Sequence, residues 1–517
     1  LNVNYNAKKW LEIGTNVSVT GTSSDEPRDR NNAQNPFRAM YDYNPYEPLY
    51  LRDASGSIVL DETGNPIFNP TRAGFPISEA LINNPEFTRT TTIIGGMFAN
   101  VKFTDKIKNT FRVGATNSAF RREFFVKPGS VLDGFVGDAD NPGSKTDNGS
   151  NNLDYTVTNI LSYEDTFGEK HNFKLSGLFE FNKNTFRNYS LSSIGFASGA
   201  LSVQSIAAEP TAASTNLIEN SLLSYGAFLD YDFDRKYILT GSIRRDASSV
   251  FGINNRYGVF WSTSAAWNIT SESFMENVSF LNNLKLRASA GTSGNRSGIG
   301  SYQSLPVIGF GSLNGNTTAI PTDNGNPDLG FEKNFIWDIG LEFGMFNNRV
   351  RGVFDYYQRT TSDLLLNRPL MALGGEPDGS ILSNIGEMVN KGIEIQLAAD
   401  VVATDDFKLT VGGNIAFLDN EVTKLVSSLE FPNGAPIDRD FTTIRVGEEI
   451  NTFFMPRWAG VNPANGAPLF YDADGNVTTV YDANANHVLS GKSGTADFDG
   501  GFNVNATYKN IDFGIDF

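Results

Sequence analysis

The sequence predicts an all-β protein, a transmembrane antiparallel β-barrel, and three observations carry that prediction. The first is strict alternation. Phe502, Val504, Ala506 and Tyr508 alternate with Asn503, Asn505 and Thr507. Past a turn at Lys509-Asn510, Ile511, Phe513, Ile515 and Phe517 alternate with Asp512, Gly514 and Asp516. A period of two sorts apolar and polar side chains onto opposite faces of a sheet. The second observation is that short and long connections alternate along the chain. Short ones lie near residues 6–9, 104–107, 165–171, 232–236, 346–349, 402–406 and 509–510. Long ones span roughly 22–90, 120–152, 186–220, 296–330, 366–384 and 425–496. Outer-membrane barrels have short periplasmic turns opposite long extracellular loops, whereas a sandwich has no reason to sort its loops by strand parity. Third, Trp10, Tyr163, Phe167, Tyr231, Phe233, Tyr237, Phe346, Phe407 and Tyr508 gather beside the short turns, where an interfacial belt belongs.

The hairpins read in order. Leu11, Ile13, Val17 and Val19 form one face of an early strand. Met97, Ala99, Val101 and Phe103 lead into Phe111, Val113 and Ala115. Tyr155, Val157, Leu161 and Tyr163 turn near Phe167-Gly168 into Phe173, Leu175, Phe179 and Phe181. Leu223 through Tyr231 return as Tyr237, Leu239 and Ile243. Val259 through Ile269 precede a longer connection and then Leu284, Leu286, Ala288 and Ala290. Phe335 through Phe343 turn at Asn347-Asn348 into Val350, Gly352, Phe354 and Tyr356. Ile393, Ile395 and Leu397 return as Phe407, Leu409, Val411 and Ile415. With the final pair this makes about 16 strands.

Composition agrees. Of 517 residues 40% are apolar, with 50 Gly, 40 Phe and 18 Tyr, which suits strands wet on one face and aromatic at their ends. No cysteine is present, so disulfides and thiol chemistry are excluded, and the two histidines, His171 and His487, lie far apart. A net charge of −17 argues against a nucleic-acid partner. No run reaches the roughly 18–20 apolar residues of a spanning helix, but a barrel strand needs only about ten. Leu1, Val3 and Tyr5 already alternate and no signal peptide precedes them, so the chain reads as a piece of a longer protein.

Few residues suggest chemistry. There is no Gly-x-Ser-x-Gly elbow, phosphate loop or His-Glu-x-x-His, so no catalytic residue and no cofactor is assigned. Gly291 to Gly300 is glycine-rich but lacks the Gly-Lys-Ser/Thr ending of a nucleotide loop. Asp472-Ala-Asp474-Gly475-Asn476 has an oxygen spacing open to calcium or to an Asx-type turn, and Asp53 to Gly56 and Asp61 to Pro66 read as similar turns. Exposed aromatics in long loops are the candidate binding residues. These are Tyr43, Tyr46 and Tyr50, with Tyr41, in the first loop and Phe454, Trp458 and Tyr471 in the last. Such rings stack on sugars, grip peptides, or pack loops against each other or a lid.

Several runs are similar to the SusC/RagA family of TonB-dependent outer-membrane transporters of Bacteroidetes. The most specific is Gly241-Ser-Ile-Arg-Arg-Asp-Ala-Ser-Ser-Val-Phe-Gly252, with Asn255-Arg256-Tyr257-Gly258 and Ala266-Trp267-Asn268-Ile269 after it. Ala247, Val250 and Trp261 depart from the family's usual Gly, Arg and Pro. Leu284 to Gly291, Asn326-Pro-Asp-Leu-Gly-Phe-Glu-Lys333, Asn384-Ile-Gly-Glu-Met388 and Gly460-Val-Asn-Pro463 follow in family order. The resemblance implies a 22-stranded barrel, of which residues 1–517 form a part, with the N-terminal domain, plug and last strands outside the chain. It further implies nutrient uptake with TonB acting through the plug, a SusD-like surface lipoprotein as lid, and glycan oligomers or else peptides as cargo. A passive porin or adhesin-like barrel is the alternative.

Overall fold

The structure is a computed structural model that describes all residues except 26–34, 36, 38–40, 42–43, 45, 63, 70–76, 371–378, 428–431, 433 and 482–485. Sixteen strands form one antiparallel sheet in which spatial order is sequence order. They are β1 (Asn2–Lys8), β2 (Leu11–Asp25), β3 (Glu86–Lys102), β4 (Ile107–Val126), β5 (Ser144–Phe167), β6 (His171–Phe196), β7 (Ala207–Phe233) and β8 (Tyr237–Ser248). The remainder are β9 (Tyr257–Asn268), β10 (Leu281–Asn295), β11 (Glu332–Met345), β12 (Val350–Ser362), β13 (Glu387–Ala403), β14 (Phe407–Lys424), β15 (Phe498–Tyr508) and β16 (Ile511–Asp516). By packing the chain divides into two units. One comprises Leu1–Val101, Thr110–Asn159 and Phe181–Ser221; the other comprises Lys102–Asn109, Ile160–Glu180 and Leu222–Phe517.

The short turns are built from residues that tolerate left-handed backbone. Gly168 and Glu169 have φ of 55° and 64°, Asp234 and Arg235 of 53° and 56°, and Asn347 and Asn348 of 58° and 59°. Two consecutive positive φ values give the hairpin turn whose twist matches the flanking strands. Phe346 also has φ 55°, rare for a bulky residue. Its amide donates to the Phe280 carbonyl at 2.7 Å, which helps fix it there.

The two faces of the second unit differ as the alternation requires. On one, Leu286, Ile339 and Phe354 are 40%, 49% and 41% exposed although all three are large and apolar. On the other, the Arg287 guanidinium donates to Asp338 at 3.1 Å and to both Asp355 oxygens at 2.6 and 2.8 Å, and Ser289 donates to Asp338. Gly340 lies opposite Asp355, and a Cβ there would strike the carboxylate and the guanidinium. The same pairing recurs along the polar face. Asn503 lies over Gly412 here, and in the first unit Asn4 lies over Gly14 and Asn16 over Gly96. Polar side chains therefore lie flat on a facing glycine instead of projecting.

Beside the short turns the aromatic rings form a chain. The Tyr237 ring centre is 6.3 Å from Phe233 and 6.4 Å from Trp267, and His171 sits 4.8 Å from Phe233. His171 Nδ1 is 2.8 Å from the Tyr231 hydroxyl, a polar tip on an aromatic body. Glu272, in the connection after β9, accepts hydrogen bonds from the Tyr237 hydroxyl at 2.6 Å and Trp267 Nε1 at 3.0 Å. Those two donors, with Lys236, hold its carboxyl below the usual glutamate value.

Some strands run further than their alternation shows. β5, β6 and β7 have 24, 26 and 27 residues, where a bilayer needs about 9–11. The region 186–220, expected as a loop, is mostly strand and 120–152 is about half strand; the true connections are 127–143 and 197–206. Both faces are wet beyond the bilayer, so apolar alternation has no cause there. Thr146 pairs with Ser192 at 3.1 Å and Asn184 with Asn152 at 2.8 Å instead.

An arginine on the apolar face tests the assignment of faces. Ile339→Arg is expected to destabilise the folded intact protein in vesicles by about 2–4 kcal/mol near the bilayer midplane. Asn505→Arg on the polar face is expected to change it little. Urea titration followed by tryptophan fluorescence reads both.

Candidate ligand-binding site

Among the described residues the fully buried apolar side chains sit at the long-connection ends of the strands. In the second unit Val250, Phe251, Phe260 and Phe331 form one core, with Phe331 ring centres 4.2 Å from Phe251 and 5.2 Å from Phe260. Polar contacts tie three connections to this core. The Gly252 amide donates to the Leu329 carbonyl at 2.8 Å, and a Cβ on Gly252 would strike Pro327. Asn255 Nδ2 donates to the Asp328 carbonyl at 2.6 Å. The Gly330 amide donates to Asn384 Oδ1 at 2.7 Å, and Asn384 Nδ2 returns to the Gly330 carbonyl at 2.9 Å. The motifs around Gly252, Asn326-Lys333 and Asn384-Met388 are thus one interlocked block that holds the loop bases.

The last long connection stands on that side and carries two small sheets. Thr452–Met455 pairs with Thr442–Ile444 and with Val488–Leu489; Trp458–Val461 pairs with Pro468–Tyr471, which pairs with Val477–Thr478. Phe454 is half-buried, its ring 5.0 Å from His487 and 4.4 Å from the Arg445 guanidinium. Trp458 is 58% exposed. Phe470, directly across the strand pair, meets it edge-on at 5.7 Å, and Tyr481 backs Phe470 at 5.1 Å. Tyr471 lies on the opposite face under Arg457 at 5.0 Å. The result is an indole more than half exposed, flanked by Phe470 and Tyr481.

The other expected residues fare differently. Tyr46 is 82% exposed in the first unit, whereas Tyr50 packs on Phe68 at 5.2 Å. Tyr43 lies outside the described residues. Asp472 closes a turn: its Oδ1 accepts the Asn476 amide at 2.7 Å and its Oδ2 the Asn476 side chain at 3.3 Å. The Asn476 amide is the main cause that holds the Asp472 carboxyl below the ordinary aspartate value. Asp53 and Asp61 accept amides of Ser57 and Asn65 in the same way. No carboxylate and imidazole cluster with metal-binding geometry occurs among the described residues.

On the polar face of the first unit, Asn16, Asn100, Arg112, Thr116, Asp154 and Thr156 line a 550 Å³ recess floored by Gly96 and Gly114. Phe470 and Tyr481, which support Trp458, were not among the expected residues. Only strand pairing brings Phe470 to Trp458, and no local spacing announces it.

The comparisons decide the family. Residues 13–517 match the profile of the family described as TonB dependent receptor-like, beta-barrel. The chain belongs to that family. It is an outer-membrane protein of the SusC/RagA type, and its apolar face meets lipid. It is 28% identical over 551 aligned positions to TonB-dependent receptor P3 of Formosa agariphila, which covers all of this chain and 52% of that protein. It is 33% identical over 332 positions to TonB-dependent receptor SusC of Bacteroides thetaiotaomicron, covering 58% of this chain and 32% of that protein. The chain thus spans about half or less of the length of these curated relatives. The solved RagAB peptide transporter superposes with TM-score 0.81 at 24% identity, over the whole chain and 56% of that structure's chain.

Two outcomes follow from the loop geometry. Phe331→Ala is expected to remove about 3–5 kcal/mol of packing. Hydrogen exchange should then accelerate in residues 249–256 and 326–331 while the central strands stay protected. For Asp472, a lowered folded pKa means its stabilisation of the turn is complete above the ordinary aspartate value and is lost as pH falls through the lowered one. The Asn476 amide resonance should titrate with a midpoint below that of a free aspartate, and Asp472→Asn should abolish the titration.

Proposed function

We propose that the intact protein imports glycan oligomers across the outer membrane by TonB-dependent transport, under a SusD-like lipoprotein lid. In this reading residues 1–517 supply barrel wall and long loops, and the N-terminal domain, plug and last strands come from the rest of the protein. TonB acts on the plug to release cargo inward. The observation that carries the glycan reading is the Trp458 indole, 58% exposed, with Phe470 packed edge-on beside it and Tyr481 against Phe470. A flat, low-entropy aromatic surface suits the apolar face of a pyranose, and stacking contributes about 0.5–1.5 kcal/mol beyond area burial. Tyr46 is an open ring of the first unit, where Tyr43 and Tyr50 are further candidates, and Phe454 and Tyr471 are candidates in the same long connection as Trp458. The Asp472-Asp474 turn shapes the edge of the same loop.

The test is calorimetric binding of oligosaccharide and peptide panels to the intact protein with its lid. Oligosaccharides should bind, and Trp458→Ala should weaken them about tenfold, near 1.4 kcal/mol. Binding of peptides alone, unchanged by Trp458→Ala, would overturn the glycan reading.

A further inference from the structure

The lipid-facing side of the first unit is not uniformly convex. Thr15 and Ala99 are small residues between larger neighbours, and they leave an apolar trough of 390 Å³. Val3 and Tyr5 of β1 and Ile13 of β2 wall one side, and Met97, Phe111 and Val113 the other. Register explains the depression. Ala99 lies opposite Ile13, and Thr15 opposite Val3 and Met97, so a small side chain interrupts the apolar row on both β2 and β3. Met97 is 66% exposed. Below the trough β1 ends at Lys8, and Lys9 and Trp10 form the short turn. Lys8 and Lys9 are both exposed, and Trp10 is 51% exposed.

We propose that this surface is a binding site for one phospholipid of the inner leaflet. Its phosphate sits against Lys8 and Lys9, and one acyl chain lies in the trough over Thr15 and Ala99. Lys8 lies three positions beyond Tyr5, about 10 Å along the strand, which places the cations at headgroup depth when the trough lies in hydrocarbon. Charge complementarity selects the phosphate, and continuity with the lipid-facing surface selects an acyl chain over a protein partner. Trp10 marks the interface between the two environments.

The experiment is native mass spectrometry of the intact protein, extracted from its membrane in mild detergent, with heat-modifiable gel migration as the check on folding. Wild-type protein should retain one phospholipid. Ala99→Phe, which fills the trough, should lower retention at least fivefold, and Lys8→Gln/Lys9→Gln should lower it severalfold. Val259→Phe, on the lipid-facing side of the other unit, should leave it unchanged. Equal retention by folded Ala99→Phe would overturn the proposal, as would an equal loss in Val259→Phe, which would mean annular lipid only. Displacement by glycerol phosphate alone would show a headgroup site without the acyl contact, and would overturn the trough's role.

Discussion

In hydrocarbon a backbone amide has no water to bond, so each strand must commit its N–H and C=O groups to its neighbours. That constraint fixes the sheet first and leaves only the side chains to distinguish its faces. One face meets lipid and is apolar without being buried, as Leu286, Ile339 and Phe354 show. The other is polar, with charges paired in the plane of the wall, as around Arg287. No continuous core is needed within the sheet. The described apolar cores therefore appear only where chain leaves the bilayer and must organise itself in water, around Phe331 and around Ile444.

The glycines follow from the same constraint. A polar side chain that stood up from the wall would narrow whatever the wall encloses. Laid across a glycine on the next strand, as Asn503 is across Gly412 and Asp355 across Gly340, it satisfies its charge or amide close to the sheet. On the lipid side a small residue opposite a large one has the opposite effect and opens a recess, as Ala99 does beside Ile13.

Much of this was legible in the sequence because a period of two has one dominant cause. The hairpins, the alternation of short and long connections and turn-side aromatics such as Phe233 and Tyr237 stand where alternation put them. The upper halves of β5 to β7 were not legible. Segments such as Ser144 to Asn152 are polar on both faces and carry no apolar pattern. The candidate site was legible only in part. Trp458 could be named as an aromatic in a long loop, but its support by Phe470 depends on a pairing that no local rule predicts. The motifs around Gly252 and Asn384 were visible as motifs, and their work as a lock between loops was visible only in three dimensions.

The central claim is that alternation along these strands reports lipid on one face. Because residues 1–517 hold no cysteine, single cysteines at positions 334 to 342 of β11 can each carry a nitroxide in the intact protein in bilayers once any cysteine outside these residues is replaced by serine. Oxygen, which concentrates in hydrocarbon, should relax the labels at 335, 337, 339 and 341 strongly and those at 334, 338 and 342 weakly. Equal oxygen accessibility along the strand, or the reverse phase, would contradict the account.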